Sequence, residues 1–213
     1  MSNPTNIVLD KTIYHGFGKL ITRKINAGQT NYDGLPVIWT GEIDLEFSPK
    51  QEVTYLASGD DPQWGRIEGA VTGDVKLTIY GVPINHLPQL LGVKYSAADG
   101  IVVGEDDTPS VNVGLAFDNS VKNESTGAVS TNKTILYKVN FTLPNTVIKT
   151  KGEGDNAVAT IELNGKVWPV FYTKTGGSIG RRTYCKVNST LNATKFAANA
   201  DTIVWPSDFT PDA

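Results

Sequence analysis

The stretch Trp39–Phe47, WTGEIDLEF, decides the fold class. Ile43, Leu45 and Phe47 alternate with Glu42, Asp44 and Glu46. Side chains along a strand point to opposite faces with a period of two, so this is a strand with one apolar and one acidic face. Three like charges on one face repel one another, and that face must be wet.

The same alternation recurs on both sides of this stretch. Ile13–Lys24 reads as a strand, and Asn26-Ala27-Gly28-Gln29 is a turn signal, so Ile25–Gly34 is expected to be the polar tip of a hairpin. Residues 52–58 suggest a short strand, Asp60-Asp61-Pro62 and Gly65 a loop, and Ile67–Tyr80 a long strand with Glu68 and Asp74 on its polar face. Val111–Phe117 alternates, and residues 118–132 form a polar excursion. Lys133–Leu143 alternates again, with Ile135, Tyr137, Val139, Phe141 and Leu143 on one face. Ala157–Leu163 is a further strand, and Asn164-Gly165 is the strongest two-residue hairpin signal in the chain. A short helix is expected from Leu87 to Leu91, with Pro88 tolerated in its first turn and Gly92 as its stop. A second, Ala-rich helix is expected near Ala193–Ala200.

Composition agrees with this pattern. Thr, Val, Gly and Asn are all abundant, and Met occurs once. β-Branched residues with many turn formers mark a sheet-rich protein. The expected fold is therefore mainly β, an antiparallel sandwich or barrel with one short flanking α-helix. The 213 residues suit one domain with a small addition, divided here into 1–172 and 173–213. A formal charge of −3 argues against a general nucleic-acid binder. No signal peptide or membrane-spanning run is visible, and the five N-x-S/T sequons carry little weight in that setting.

Chemistry-bearing motifs are weak. Gly176-Gly177-Ser178-Ile179-Gly180 matches the nucleophile-elbow pattern, but both histidines, His15 and His86, precede Ser178 and a strand follows it. Gly16-Phe17-Gly18-Lys19 lacks the spacing of a phosphate loop. Two His and one Cys cannot make a structural zinc site, and Glu105-Asp106-Asp107 reads as a solvated acidic loop. No catalytic residue, metal or cofactor is expected.

The order of features resembles the major tail protein, or tail tube protein, of long-tailed siphophages. The resemblance rests on GEIDLEF, Glu68-Gly69 with its long strand, the helix end Leu90-Leu91-Gly92, VNVGLAF, ILYKVNFTLP and ATIEL, and covers roughly residues 10–172. It implies a virion structural protein whose hexameric rings stack into a tube that conducts double-stranded DNA without specific binding. It implies an inner sheet drawn from 37–47, 67–80, 133–143 and 157–163. Glu42, Asp44, Glu46, Glu68 and Asp74 become lumen-facing candidates. Ala27, Gly28, Gln29, Thr30, Asn31, Tyr32 and Asp33 become a ring-stacking loop. The implied partners are further copies of the chain and the tape measure, tail terminator and distal tail proteins, with no membrane partner and assembly in the host cytoplasm. Residues 173–213 extend past the usual family end, as a packed addition or a clasp between rings. The alternative is a phage decoration, baseplate or receptor-binding β-sandwich presenting Tyr172, Tyr184 and Trp205 as an aromatic cluster.

Overall fold

A computed structural model describes residues 12–39, 43–58, 61–80, 86–104, 110–142 and 160–207. The protein is mainly β and antiparallel. Strands β1 (Thr12–Lys24), β2 (Val37–Trp39), β3 (Ile43–Ser58) and β4 (Asp61–Tyr80) precede helix α1 (Leu87–Leu90). The small strands β5 (Lys94–Ser96) and β6 (Ile101–Val103) form their own ladder. Then follow β7 (Asn112–Asn123), β8 (Val129–Phe141), β9 (Thr160–Val167), β10 (Val170–Thr173), β11 (Ile179–Arg182), β12 (Tyr184–Asn188) and helix α2 (Ala193–Ala198).

One eight-stranded sheet dominates, in the order β2-β1-β7-β8-β9-β4-β3, with β12 also paired to β8. The second edge of β8 is shared: β12 takes residues 132–136 and β9 takes 139–141. The larger core gathers Leu20 and Trp39 from one end of the strand order with Val75, Leu77 and Ile79 from the other, around Leu115, Leu136, Val139 and Leu163. Strands at opposite ends share one core, so the sheet curls over itself, and α1 closes it with Leu90 and Leu91. A second core lies on the opposite face of β1, β7 and β8, where Ile21, Ile25, Tyr32, Ala116, Ile135 and Tyr137 meet Val170 and Ile203.

The WTGEIDLEF stretch is split. Trp39 ends β2 at one edge of the sheet, whereas Ile43 opens β3 at the other. Strand β3 runs unbroken to Ser58 through Pro49, and β4 starts at Asp61 rather than Ile67. Proline is tolerated there because β3 is an edge strand, where a missing N–H interrupts no inner ladder.

Three other expectations are corrected. Asn164-Gly165 is no turn, because β9 passes straight through it. A Cβ on Gly165 would lie 2.8 Å from the Asn140 carbonyl oxygen and 2.8 Å from Phe141 Cδ1, so close approach of β8 is what calls for glycine. Residues 118–132 are mostly strand, with a tight turn at 124–126 in which Asn123 Oδ1 accepts the Ser125 and Thr126 amides. In β8 the register slips between Val113↔Val139 and Leu115↔Leu136, a bulge that reverses the facing of the side chains. Ile135 and Tyr137 therefore enter the second core, while Leu136, Val139 and Phe141 enter the first. Leu143 lies outside the described residues.

The division at residue 172 falls inside β10. Its hairpin partner β11 and the sheet strand β12 come after it, and Ile203 is fully buried. Residues 173–207 are thus an integral part of the fold. Lys133 is also fully buried, its Nζ 2.8 Å from Asp118 Oδ1 and 5.6 Å from the centre of the Phe196 ring of α2.

Candidate functional site

The solvent face of β3, β4 and β9 carries a regular lattice of polar side chains. The ladders place Asp44, Thr78 and Glu162 in one row, Glu46, Lys76 and Asn164 in the next, and Ser48, Asp74, Lys166 and Asn140 in a third. The same strands turn Leu45, Phe47, Val75, Leu77 and Leu163 to the first core, so period-two patterning creates both surfaces at once. Ion pairs join neighbouring rows: Lys50 Nζ to Asp74 Oδ2, and Lys76 Nζ to Glu162 Oε2 at 3.0 Å. The hydrogen bond from Lys50 holds Asp74 below the usual carboxylate range, and that from Lys76 does the same for Glu162. Both pairs are exposed, so their individual contributions to stability are small.

The sequence-derived lumen candidates separate here. Asp44, Glu46 and Asp74 share this face. Glu42 lies outside the described residues. Glu68 points the other way, because the register slips between Gln51↔Val71 and Val53↔Glu68. That bulge in β4 is a three-against-two mismatch and reverses the facing of the side chains beyond it. Glu68 instead pairs with Arg66 at 2.7 Å. Lys76, which spacing along the strand already puts on the face of Asp74, and Lys50 and Lys166, which strand order brings there, interleave with the acids and leave the described face close to neutral.

Beyond the end of β9, β3 and β4 continue as a two-stranded ribbon, from about residue 51 to 72, whose ladder extends to Ser58↔Asp61. Tyr55, Leu56 and Ile67 are exposed on it. The ribbon's base is fixed by Thr183 Oγ1 donating to the Val71 carbonyl and by the Phe47 and Tyr184 rings, 5.6 Å apart.

The candidate stacking loop is a compact turn. Asn26 Oδ1 accepts the Thr30 amide at 2.9 Å, Gln29 adopts a left-handed φ of 53°, and Lys138 Nζ donates to Gln29 Oε1. Ala27, Gly28, Gln29, Thr30, Asn31 and Asp33 are exposed. Tyr32 is buried: its hydroxyl donates to the Tyr137 carbonyl at 2.9 Å, and its ring meets Trp205 edge-on at 5.1 Å. Burial pushes its hydroxyl pKa well above the ordinary value.

The alternative aromatic cluster is dispersed. Tyr172 is buried under Arg182, Trp205 lies against Tyr32, and Tyr184 packs on Phe47. Ser178 sits in a strand–turn–strand tip between β10 and β11, where an elbow needs a strand–turn–helix. Among the described residues no group of three or more His, Cys, Asp or Glu could hold a metal ion, and no helix is long and apolar enough to cross a membrane.

No family model and no curated protein matches the chain. Distant likenesses exist among solved structures. A chain from the sixfold-symmetrised baseplate of the anti-feeding prophage aligns with TM-score 0.40 and 11% identity, over 88% of this chain and 97% of that one. A chain from the sheath–tube complex of an extracellular contractile injection system in its extended state aligns with TM-score 0.32 and 9% identity, over 79% and 87%. A chain from the tube-terminating cap of the anti-feeding prophage aligns with TM-score 0.30 and 10% identity, over 86% and 95%. Backbones this far apart carry no argument about function.

Proposed function

We propose that this chain is a self-assembling structural subunit of a phage tail or tail-like particle, a tail tube protein that stacks in hexameric rings around a DNA-conducting channel. The observation that carries the proposal is the long edge strand β3, 16 residues whose outer side no described strand pairs. An open edge of that length is an aggregation hazard in a monomer and a joint in an assembly, where the next copy continues the sheet. The polar lattice beside that edge suits a water-filled channel. Its interleaved charges would let a polyanion pass without adhering, because among the described residues no cationic stripe on this face offers phosphate-by-phosphate neutralisation.

In this reading Asp44, Glu46 and Asp74 line the channel. The exposed turn residues Ala27–Asn31 contact the next ring, and tape measure, terminator and distal tail proteins complete the particle. The chain has no catalytic role. Negative-stain microscopy of the purified protein over a range of concentrations tests this directly. Hollow rings or tubes with sixfold end views are expected, and a monodisperse monomer at every concentration would refute self-assembly.

A further inference from the structure

Charge is distributed unevenly along the chain. Residues 163–200 hold six Lys and Arg and no acid, although the whole chain carries −3. Residues 51–72, the span of the ribbon, hold four acids and one base. The ribbon, and within 163–200 the β10–β11 hairpin, are each two-stranded strips with exposed apolar side chains.

On the β10–β11 hairpin, the pairs Phe171↔Arg181 and Thr173↔Ile179 share the outer face. Phe171 is 55% and Ile179 66% exposed, with the Arg181 guanidinium 5.4 Å from the Phe171 ring centre. On the ribbon, Thr54↔Ile67 and Leu56↔Gly65 share one face, with Glu52 on the same side. Ile67 is 54% and Leu56 40% exposed. Each strip thus has two apolar side chains placed diagonally and one charge, and the charges are opposite. One copy does not satisfy itself, because both strips remain exposed although Thr183 and Tyr184 hold the ribbon's base close to β11 and β12.

We propose that the outer face of the β10–β11 hairpin is the docking surface for the β3–β4 ribbon of a second copy, with Arg181 meeting Glu52 and Phe171 and Ile179 packing on Leu56 and Ile67. This deepens the assembly reading and rests on it. The contact joins different patches of two identical chains, so each docked pair keeps one free hairpin and one free ribbon and the contact propagates into a ring or a stack. Opposite charges set register and partner choice, while the apolar pairs exclude water. A polyanion could satisfy Arg181 but would leave Leu56 and Ile67 uncovered.

The test uses the full chain and a charge swap. Glu52→Lys and Arg181→Glu are each expected to raise the concentration at which sedimentation velocity detects association by about tenfold or more. The double variant, or an equal mixture of the two single variants, is expected to recover to within about threefold of the parent, because reversed charges meet again. Both residues are exposed, so unchanged thermal unfolding checks that each variant folds. Single variants that associate like the parent, or a double variant no better than either, overturn the proposal. So does loss of duplex-DNA retardation in Arg181→Glu with association unchanged. Tubes that ignore the swap sink this contact and leave the tube reading standing. Swap-sensitive oligomers that never form hollow tubes do the reverse, and a parent that never associates sinks both.

Discussion

Replacing Gly114 by alanine tests how the 26–33 turn is held. Gly114 lies in β7 beneath the Tyr32 ring, and a Cβ there would sit 2.5 Å from Tyr32 Cε1 and 2.6 Å from its hydroxyl oxygen. Atoms cannot approach that closely, so the ring must move. Overpacking of this kind costs about 1–3 kcal/mol. A displaced ring also breaks the hydroxyl's hydrogen bond to the Tyr137 carbonyl, about 1 kcal/mol more. The expected loss is about 2–4 kcal/mol, which for a chain of this length lowers Tm by roughly 4–16 °C. Urea unfolding of four proteins closes the cycle: the parent, Gly114→Ala, Tyr32→Ala and the double variant. Tyr32→Ala alone is expected to cost about 3–5 kcal/mol, and adding Gly114→Ala to it almost nothing, because the obstructing ring is gone. A Gly114→Ala cost that is equal in both backgrounds, or below about 0.5 kcal/mol, would refute the clamp.

The buried Lys133–Asp118 pair predicts a second asymmetry. Lys133→Met leaves the Asp118 carboxylate, largely shielded from water, without its cation and should cost about 3–5 kcal/mol in chemical denaturation, whereas Lys133→Met with Asp118→Leu should recover most of it. On the polar face, the depressed pKa values of Asp74 and Glu162 mean stability that is present above the ordinary carboxylate pKa and lost as pH falls through the lower folded values. Carboxyl NMR titration should show Asp74 rising toward its ordinary value in Lys50→Gln. At the alkaline end the sign reverses: Tyr32 and Tyr137 are pushed up by burial, so stability is intact below pH about 10 and falls as pH rises further. Tyr32→Phe should shift the alkaline unfolding midpoint upward, measured by circular dichroism. In assembled particles, Asp44→Lys with Glu46→Lys should slow DNA release while leaving ring formation intact, and normal release kinetics would remove those residues from the channel.

Much of the architecture was legible because alternation is a local property. The acidic face of β3, the long β4 and the Leu-rich α1 followed from spacing alone. What spacing could not show were the slips of register. The bulges at β4 and β8 are set by how neighbouring strands meet, and they moved Glu68 off the polar face and Ile135 and Tyr137 into a second core. Asn164-Gly165 carries the local chemistry of a turn, yet the tight approach of Asn140 and Phe141 uses its glycine inside a strand. Tyr32 sits among turn-forming polar residues, and nothing in that run signals that its ring is buried more than a hundred residues away along the chain, against β8. The lysines of the polar face were visible as residues, but their pairing with Asp74 and Glu162 depends on strand order, which no single strand reveals.

The divided edge of β8 bears on synthesis. Residues 132–136 pair with β7 on one edge but find the partner for their second edge only at 184–188, and the second core on β1 is completed only once Ile203 has arrived. Contacts of such separation form late, because loop closure must precede any gain from them. A chain emerging from the ribosome therefore keeps its central sheet incomplete until residues 184–203 are free. Premature joining of half-made neighbours on one message is discouraged by the order in which the chain appears.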